Sequence, residues 1–462
     1  MTQEELKVKL IKDVCLLENK CGCHEVRINK ISVYHFIRRE IRIQYLGQKG
    51  YDYIEKQAKG SIRERIKSVL KSIKHLFVMP ANIPILFRTF RIEDINGLRM
   101  DRFIDPIIEE CNIKDNYVIF ETNNGRIFKN RCHSEHVYFD DCFSFVTLLL
   151  KSFMSLYYRL KYKEEFGNLF NSISEFIPIE TIDEKFIVNR IITCLIRVSL
   201  YKFFLSRKNV KVVIAASRSS FMPLTCAAKI LGVKVYELQH GIIYGETITY
   251  SGYRDSLFVP DKFLLFGDVH PQDVYGTDGK DLKILGWALM SYVKKLNLNT
   301  NISKNDILVL SQQQSTDYII DTMLFLAENN KDVNFYLRCH PMETLKPSHM
   351  EAIKRHPNVY IQDNKMSLII ALAHFDKVIG DKSTAIYEAL SYGKRTGILT
   401  MNDHKAVFLQ EKDADFFWII KDNSAFVDFV KSEKNERNTL SIYSPFNRSM
   451  YDSLIKECFV KQ

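Results

Sequence analysis

The sequence predicts an α/β protein: two doubly wound, Rossmann-like parallel-sheet domains facing a cleft, with an N-terminal α+β extension. Three observations predict it. Lys211–Gly245, KVVIAASRSSFMPLTCAAKILGVKVYELQHGIIYG, reads as strand, turn, helix, strand and loop. A helix between two strands makes them parallel neighbours joined by a right-handed crossover. Asp306–Leu399 repeats this alternation with short strands throughout. In both stretches a histidine directly follows a strand, where ligands of such sheets bind.

The bulk numbers fit this class. A chain of 462 residues suits two or three domains. Its 46% hydrophobic and 26% charged residues are ordinary for a globular protein. The net charge of +10 suits an anionic small substrate, an anionic membrane surface or nucleic acid, and selects none of them. The 10 cysteines are scattered and Met1–Asp13 is charged throughout, so a cytoplasmic protein with free thiols is expected. Cys21-Gly-Cys23-His24 lacks a second ligand pair at zinc spacing. Phe143–Leu150 is apolar, but Lys151 interrupts it well short of the roughly 18 residues a span requires.

In chain order, Lys7–Leu17 is expected to be helical. Ser61–Phe77 is an amphipathic helix with Ser61 and Glu64 as a capping box. Ile62, Ile66, Val69, Leu70, Ile73, Leu76 and Phe77 form its apolar stripe, and Arg63, Arg65, Lys67, Lys71 and Lys74 its basic remainder. Two readings follow: a helix lying on an anionic bilayer, or the commoner surface helix packing its stripe on its own domain. Asn82–Leu98 and Tyr117–Lys129 hold strand-like runs, with a hairpin turn at Asn123-Asn124-Gly125. Asp140-Asp141 reads as a solvated helix start. Asp141–Glu165 and Phe186–Leu205 are long apolar helices. Phe221–Leu231 is a helix closed by Gly232. Lys262–Phe266 and Leu282–Leu285 give two more strands, and the Asn- and Lys-rich stretch after Trp287 reads as a linker. Strands at Asp306–Leu310, Val333–Arg338, Val359–Gln362 and Lys377–Ile379 lead to a final strand, Thr396–Leu399. Pro445–Lys461 is a terminal helix.

The residues with chemical potential gather at strand ends. His240 opens a loop after Val233–Leu238; it is either a base in a cleft or a hydrogen-bonded loop histidine. His340, after Val333–Arg338 and before Pro341, is biased away from helix, so its ring can project. Ser383 and Thr384 begin a helix, where free N–H groups and the dipole favour a phosphate. Ser383 equally suits a plain N-cap and Glu388 a solvated helix position.

Three motifs, LQHG (Leu238–Gly241), RCHP (Arg338–Pro341) and GDKSTAIYEALSYGK (Gly380–Lys394), resemble glycosyltransferases of the two-Rossmann-domain class called GT-B. The similarity is to bacterial enzymes building capsule, lipopolysaccharide or teichoic-acid polymers, spans roughly Lys211–Leu399, and is at the level of motifs. CDP-glycerol polymerases resemble it in the histidine-glycine and histidine-proline loops. Bacterial sialyltransferases resemble it in the histidine-proline and the paired hydroxyls that hold a CMP-sugar phosphate. Two departures stand out. Thr396 and Gly380 lie eight residues either side of Glu388, where retaining enzymes carry a second glutamate. The acidic-acidic-glycine motif that supplies a base in several sialyltransferases is at best distorted, at Glu93-Asp94-Ile95-Asn96-Gly97.

The resemblance implies an inverting, metal-independent transferase moving a sugar from a CMP-linked donor to a membrane-linked surface glycan. The alternatives are a CDP-glycerol-type polyol-phosphate transferase, a UDP-sugar transferase or epimerase, or a basic nucleic-acid-binding protein. No cofactor beyond the activated donor and no metal is implied. His240 is the expected catalytic base, followed by Glu246 and Asp94. His340, Ser383, Thr384, Glu388, Arg338 and Lys382 are the expected donor-binding residues. The implied domains are an N-terminal region at 1–140, part of or appended to the acceptor domain, then an acceptor domain at 141–290. A linker at 291–305, a nucleotide-donor domain at 306–440 and a C-terminal helix at 441–462 returning to the first domain complete it. Localisation is expected to be cytoplasmic, with peripheral contact to an anionic inner membrane.

Overall fold

The computed structural model describes residues 3–51, 62–95, 97–122, 130–217, 221–242, 246–268, 281–295, 305–312, 315–340, 343–363, 366–381, 383–402, 404, 416–432 and 442–459. The Asn123–Gly125 turn, Ser61 and Lys382 lie outside them.

The chain opens with α1 (Gln3–Lys20), the short pair β1 (Arg27–Ile28) and β2 (Ile31–Ser32), α2 (Arg38–Gln48) and α3 (Ile62–Val78). Then come β3 (Ile85–Arg88), the hairpin β4 (Ile92–Ile95) and β5 (Leu98–Asp101), α4 (Asp105–Cys111), β6 (Tyr117–Glu121) and β7 (Val137–Phe139). Helices α5 (Asp141–Lys161), α6 (Lys163–Ser174) and α7 (Glu184–Arg207) precede β8 (Val212–Ala216), α8 (Met222–Ile230), β9 (Lys234–Leu238), β10 (Lys262–Leu265), β11 (Leu282–Ile284) and α9 (Ala288–Lys295). The second half runs β12 (Asp306–Leu310), α10 (Thr316–Asn329), β13 (Asn334–Arg338), α11 (Pro347–Lys354), β14 (Val359–Ile361), α12 (Leu368–His374), β15 (Lys377–Gly380) and α13 (Thr384–Ser391). It ends with β16 (Arg395–Leu399), β17 (Trp418–Ile420), α14 (Asn423–Lys431) and α15 (Arg448–Phe459).

Two parallel sheets organise these elements. The first has the order β11-β10-β9-β8-β3-β6-β7 and the second β14-β13-β12-β15-β16-β17. Every pairing within them is parallel. Counted in chain order, both read 3-2-1-4-5-6, with a seventh strand added to the first. This is the doubly wound Rossmann order. Their strands are buried on both faces, as β8 with all of Val212–Ala216 buried illustrates. Gly232 and Gly393 both take positive φ where their helices stop, the conformation a residue without Cβ adopts at least strain.

Several expectations are corrected. Residues 1–140, expected as part of or appended to the acceptor domain, supply three strands of the first sheet, β3, β6 and β7, with β3 between β8 and β6. Asp140 is buried, not solvated: it accepts from Arg88 Nη1 at 2.7 Å and from the Tyr201 hydroxyl at 3.1 Å. The stretch read as a linker begins with α9, whose Ala288, Leu289 and Met290 are buried against the domain. Thr396–Leu399 is not the last strand, since β17 pairs beside β16. Asp141–Glu165 breaks into two helices at Tyr162. Apart from Leu76, which packs on the core, most of the stripe of α3 does not face its own domain. Ser68 and Ser72 point inward, Ser72 Oγ accepts from Cys142 N–H at 2.9 Å, and Ile66, Leu70, Ile73 and Phe77 are exposed.

The N-terminal layer, α1 and α2, packs its apolar residues into one core with α6, α7 and α8. The C-terminal segment crosses back over the first sheet: Asn447 N–H donates to Leu285 O at 2.8 Å and Ser444 N–H to Phe266 O at 2.8 Å. Pro445 O sits where a Cβ on Gly286 would lie, 2.1 Å from it, so this crossing requires glycine.

The two sheets are tied by a buried ion pair. Arg102, which follows β5 and is 2% exposed, places Nη2 2.7 Å from Glu388 Oε2 on α13 and Nη1 3.3 Å from Glu93 Oε1. Its guanidinium also lies 5.7 Å from the Trp287 ring, which stacks on Tyr443. Removing Arg102 leaves Glu388 without this partner in the interior, and removing Glu388 leaves the buried guanidinium with Glu93 alone. Arg102→Met or Glu388→Leu alone is expected to cost about 3–5 kcal/mol of unfolding free energy in urea, and the double variant to regain most of it. Simply additive losses would show that the two residues do not act as one pair.

Candidate functional site

The carboxyl ends of both sheets meet around two short segments. His240-Gly241-Ile242 follows β9, and Ser383-Thr384 starts α13 after β15. Ile242 N–H donates to Thr384 Oγ1 at 3.2 Å, a direct bond between the two halves. A Cβ on Gly241 would stand 3.3 Å from Thr384 Oγ1, so the absence of a side chain permits the close approach. β9 is next to β8, and β15 is next to β12. The strand order reverses between β12 and β15 in the second sheet, beside Ser383-Thr384, and between β3 and β8 in the first, one strand from the His240 segment; such points are the usual place for ligands in this architecture.

His240 is held by a relay that sequence inspection missed. Its Nδ1 lies 3.2 Å from the Tyr250 hydroxyl, and that hydroxyl donates to Glu237 Oε1 at 2.9 Å. A phenol has one proton. With that proton directed to the carboxylate, the oxygen accepts from Nδ1–H, and the lone pair of the ring sits on Nε2. Burial pushes the His240 pKa below its ordinary value, while the Glu237 charge pulls upward. The imidazole is thus neutral at pH 7 and can take a proton on Nε2. Phe90 meets the ring edge-on at 5.2 Å. Gln239, fully buried, fixes the loop by donating to Gly241 O at 3.0 Å and accepting from Phe266 N–H at 2.7 Å. Glu237, a charge between apolar residues near the end of its strand, was the available signal, because a buried carboxylate requires a partner.

Two further networks set this geometry. Asp101 accepts four N–H bonds, from Phe90, Arg91, Phe103 and Ile104, and so shapes the loop that carries Phe90. The N-terminal layer holds the loop that carries Tyr250. Arg42 donates to Ile248 O and Ser251 O at 2.8 and 2.9 Å, and Arg38 to Thr249 O at 2.8 Å. Arg42 is itself paired by two 2.6 Å bonds to buried Glu18. Gly252 has φ of +91°, and a Cβ there would lie 2.7 Å from Arg42 Nη2.

On the second domain, His340 is exposed and its N–H donates to Glu343 Oε2 at 2.8 Å. Glu343 Oε1 accepts from Ser311 Oγ at 2.7 Å, joining the ends of β12 and β13. Burial and then the charge of Arg91 push the His340 pKa down, opposed by Glu343. Arg91 comes from the loop after β3, so the first domain reaches this position too. Arg338 donates to Gln362 Oε1 at 2.9 Å and Met366 O at 2.7 Å. Ser383 is the N-cap of α13 and accepts from Ile386 N–H at 3.3 Å. Lys382 lies outside the described residues.

The remaining expected residues stand elsewhere. Glu388 is engaged by Arg102 and is 4% exposed, so a ribose hydroxyl would have to displace a buried guanidinium. Asp94 caps the β4–β5 turn, accepting from Gly97 N–H at 2.8 Å, with Arg99 Nε 3.2 Å away. Glu246 lies within electrostatic reach of Cys15, toward the N-terminal layer. The structure adds His404, whose Nε2 is 3.1 Å from buried Asp381 Oδ1 at the end of β15 and whose ring stacks on Tyr318 at 3.8 Å. Among the described residues, one group has metal-ligand types close together: Glu109, Cys132 and His133. Burial drives the Cys132 thiol up to about 12, which disfavours the thiolate a metal takes, and Glu109 already pairs with His133 at 3.3 Å.

No protein-family model and no curated protein matches the chain. Among solved structures, UDP-GlcNAc 2-epimerase from Methanocaldococcus jannaschii aligns at 9% identity and a TM-score of 0.48, over 81% of this chain and 99% of its own. The Neisseria meningitidis UDP-GlcNAc 2-epimerase, bound to UDP-GlcNAc, aligns at 12% and 0.45, over 80% and 99%. TarM aligns at 12% and 0.37, over 57% and 58%. At such values the fold assignment rests on the strand order of the two sheets.

The relay carries a stability prediction. Tyr250→Phe leaves the Glu237 carboxylate and the His240 Nδ1–H without their shared partner. Urea unfolding should show a loss of roughly 1–3 kcal/mol, as for a buried group left unsatisfied. An unchanged midpoint would mean that the hydroxyl does not link them.

Proposed function

We propose that the chain transfers a sugar from a nucleotide-activated donor to an acceptor hydroxyl, with His240 as general base. The observation that carries this reading is the His240–Tyr250–Glu237 relay, with its Nε2 lone pair, two residues from the Ile242 N–H that bonds the Thr384 helix start of the other half. Acceptor O–H would give its proton to Nε2 as its oxygen attacks the donor carbon. The bond from that carbon to the phosphate oxygen breaks, and the nucleotide leaves as an anion. Ser383 and Thr384 each accept an N–H bond, so their own hydroxyl protons remain to meet that anion beside the α13 dipole. Arg338, at the end of β13 two strands away, would add positive potential, and the neutral ring of His340 a hydrogen-bonding group.

The LQHG and RCHP motifs support a cytidine nucleotide, of CMP-sugar or CDP-polyol type, and a bacterial surface glycan as acceptor. The engagement of Glu388 by Arg102 removes it from the donor contacts of this reading. A thermal-shift panel tests the donor: stabilisation by CMP supports it. Stabilisation by UDP alone would favour a UDP-sugar transferase or epimerase, and by oligonucleotide alone a nucleic-acid-binding protein.

Two outcomes follow for His240 once a donor is found. His240→Ala should keep its fold and nucleotide affinity but lose turnover by roughly 10²–10⁴. Because the neutral ring is the active form and its pKa is lowered, the rate should hold through neutrality and fall only below about pH 6.5. Near-normal turnover in a folded His240→Ala would remove the base. Ser383→Ala with Thr384→Ala should weaken CMP binding in calorimetry, each bond to a charged group being worth roughly 1.5–3 kcal/mol. Unchanged affinity would take the helix start out of the donor site.

A further inference from the structure

Helices α3 and α5 pack side by side on the β7 edge of the first sheet and turn their apolar stripes outward together. On α3, Ile66, Leu70 and Phe77 are exposed, the last by 85%. On α5, Leu148, Phe153, Leu156 and Leu160 are exposed, Phe153 by 82%. Ile66, Leu70, Ile73 and Phe77, and likewise Leu149, Phe153, Leu156 and Leu160, are exposed at spacings of three and four residues, which keeps each set on one face. The two helices differ in what they turn inward: α5 buries Cys142, Phe143 and Tyr158 in the core, so it is apolar on both sides. α3 meets the protein through Ser68, Ser72 and His75. Ser72 Oγ donates to Phe139 O at 2.5 Å, and His75 Nδ1 accepts from Phe139 N–H at 2.9 Å. On α3, apart from Leu76, which packs on the core, most of the apolar stripe therefore faces away from the protein. Large apolar side chains exposed together on two neighbouring helices mark an interaction site.

Charge selects the occupant. α3 carries five basic residues and one acidic one, Glu64; α5 carries Lys151, Arg159 and Lys161 and one acidic residue, buried Asp141. Eight cations thus border the apolar stripes, against one exposed carboxylate. A second copy seated on this face would bring like charges together, which disfavours it. A surface of anionic phospholipid accepts both features: lysine and arginine at the headgroups, leucine and phenylalanine below them. Beside the α5 stripe, a groove of about 480 Å³ shared with α7 presents Arg159 and Lys185, with Glu184 at its rim. Among the described residues, no helix is long and apolar enough to cross a membrane, so the contact lies on the surface.

We propose that the α3–α5 face is a docking surface for anionic phospholipid bilayers, with α5 as the inserting element and α3 as the basic one. The inference rests on this surface and not on the reaction proposed above. The full chain is to be floated with vesicles of phosphatidylcholine alone and of phosphatidylcholine with phosphatidylglycerol. It should float with the anionic vesicles, less so in high salt, and hardly with the neutral ones. Phe153→Ser with Leu156→Ser and Leu160→Ser should bind at least about tenfold more weakly while keeping its circular dichroism spectrum, because these side chains are outside the core. Phe153→Trp should be quenched by brominated anionic lipid. Absence of flotation, undiminished binding by the triple variant, or an unquenched Trp in bound protein would each overturn the proposal. So would a soluble dimer that the triple variant dissociates, which would make the face a protein interface.

Discussion

The buried pair between Arg102 and Glu388 is the constraint on which the arrangement of the two halves depends. It ties the segment after β5 to α13, and the same helix begins at Thr384, which bonds the His240 loop. One short helix is thus held at its start by a neutral hydrogen bond and in its body by an ion pair. A charge pair sealed from water is costly to form and more costly to break by halves. Such a contact adds little net stability but strongly disfavours alternative placements that leave either charge alone. Glu93, Trp287 and Tyr443 around the guanidinium extend that selectivity to the hairpin and the C-terminal crossing.

The N-terminal layer gains a purpose from the second buried pair. Glu18 and Arg42 are both fully buried, and the remaining guanidinium donors grip carbonyls of Ile248 and Ser251. Tyr250 lies within that gripped loop and orients His240. A residue on α2 therefore governs the tautomer of a ring at the end of β9, through a backbone loop and one phenol. The layer is a support for the candidate site as well as a cover for α7.

The parallel sheets were readable because each strand is a short β-branched run closed by a turn, as at Asp306–Leu310 and Lys377–Gly380. The neighbours of those strands were less readable. β3 pairs with β8 across more than a hundred residues, and no local pattern encodes that register. Periodicity located the α3 stripe but not its direction, since a stripe looks the same facing a core or facing out. The positions of His240 and Thr384 at element ends followed from strand and helix limits. Tyr250, Glu237, Asp381 and Arg102 are single polar residues with no spacing between them, brought together only by packing. Glu388 was misread for the same reason: its partner lies almost three hundred residues earlier.

The proposed chemistry turns on the protonation of one ring, and isotope-labelled histidine NMR reads it directly. The relay predicts that His240 carries its proton on Nδ1 at neutral pH, titrates below the ordinary histidine range, and loses that tautomer preference when Tyr250 is replaced by Phe. A proton on Nε2 in the folded protein, or a His240 spectrum indifferent to Tyr250→Phe, would contradict it.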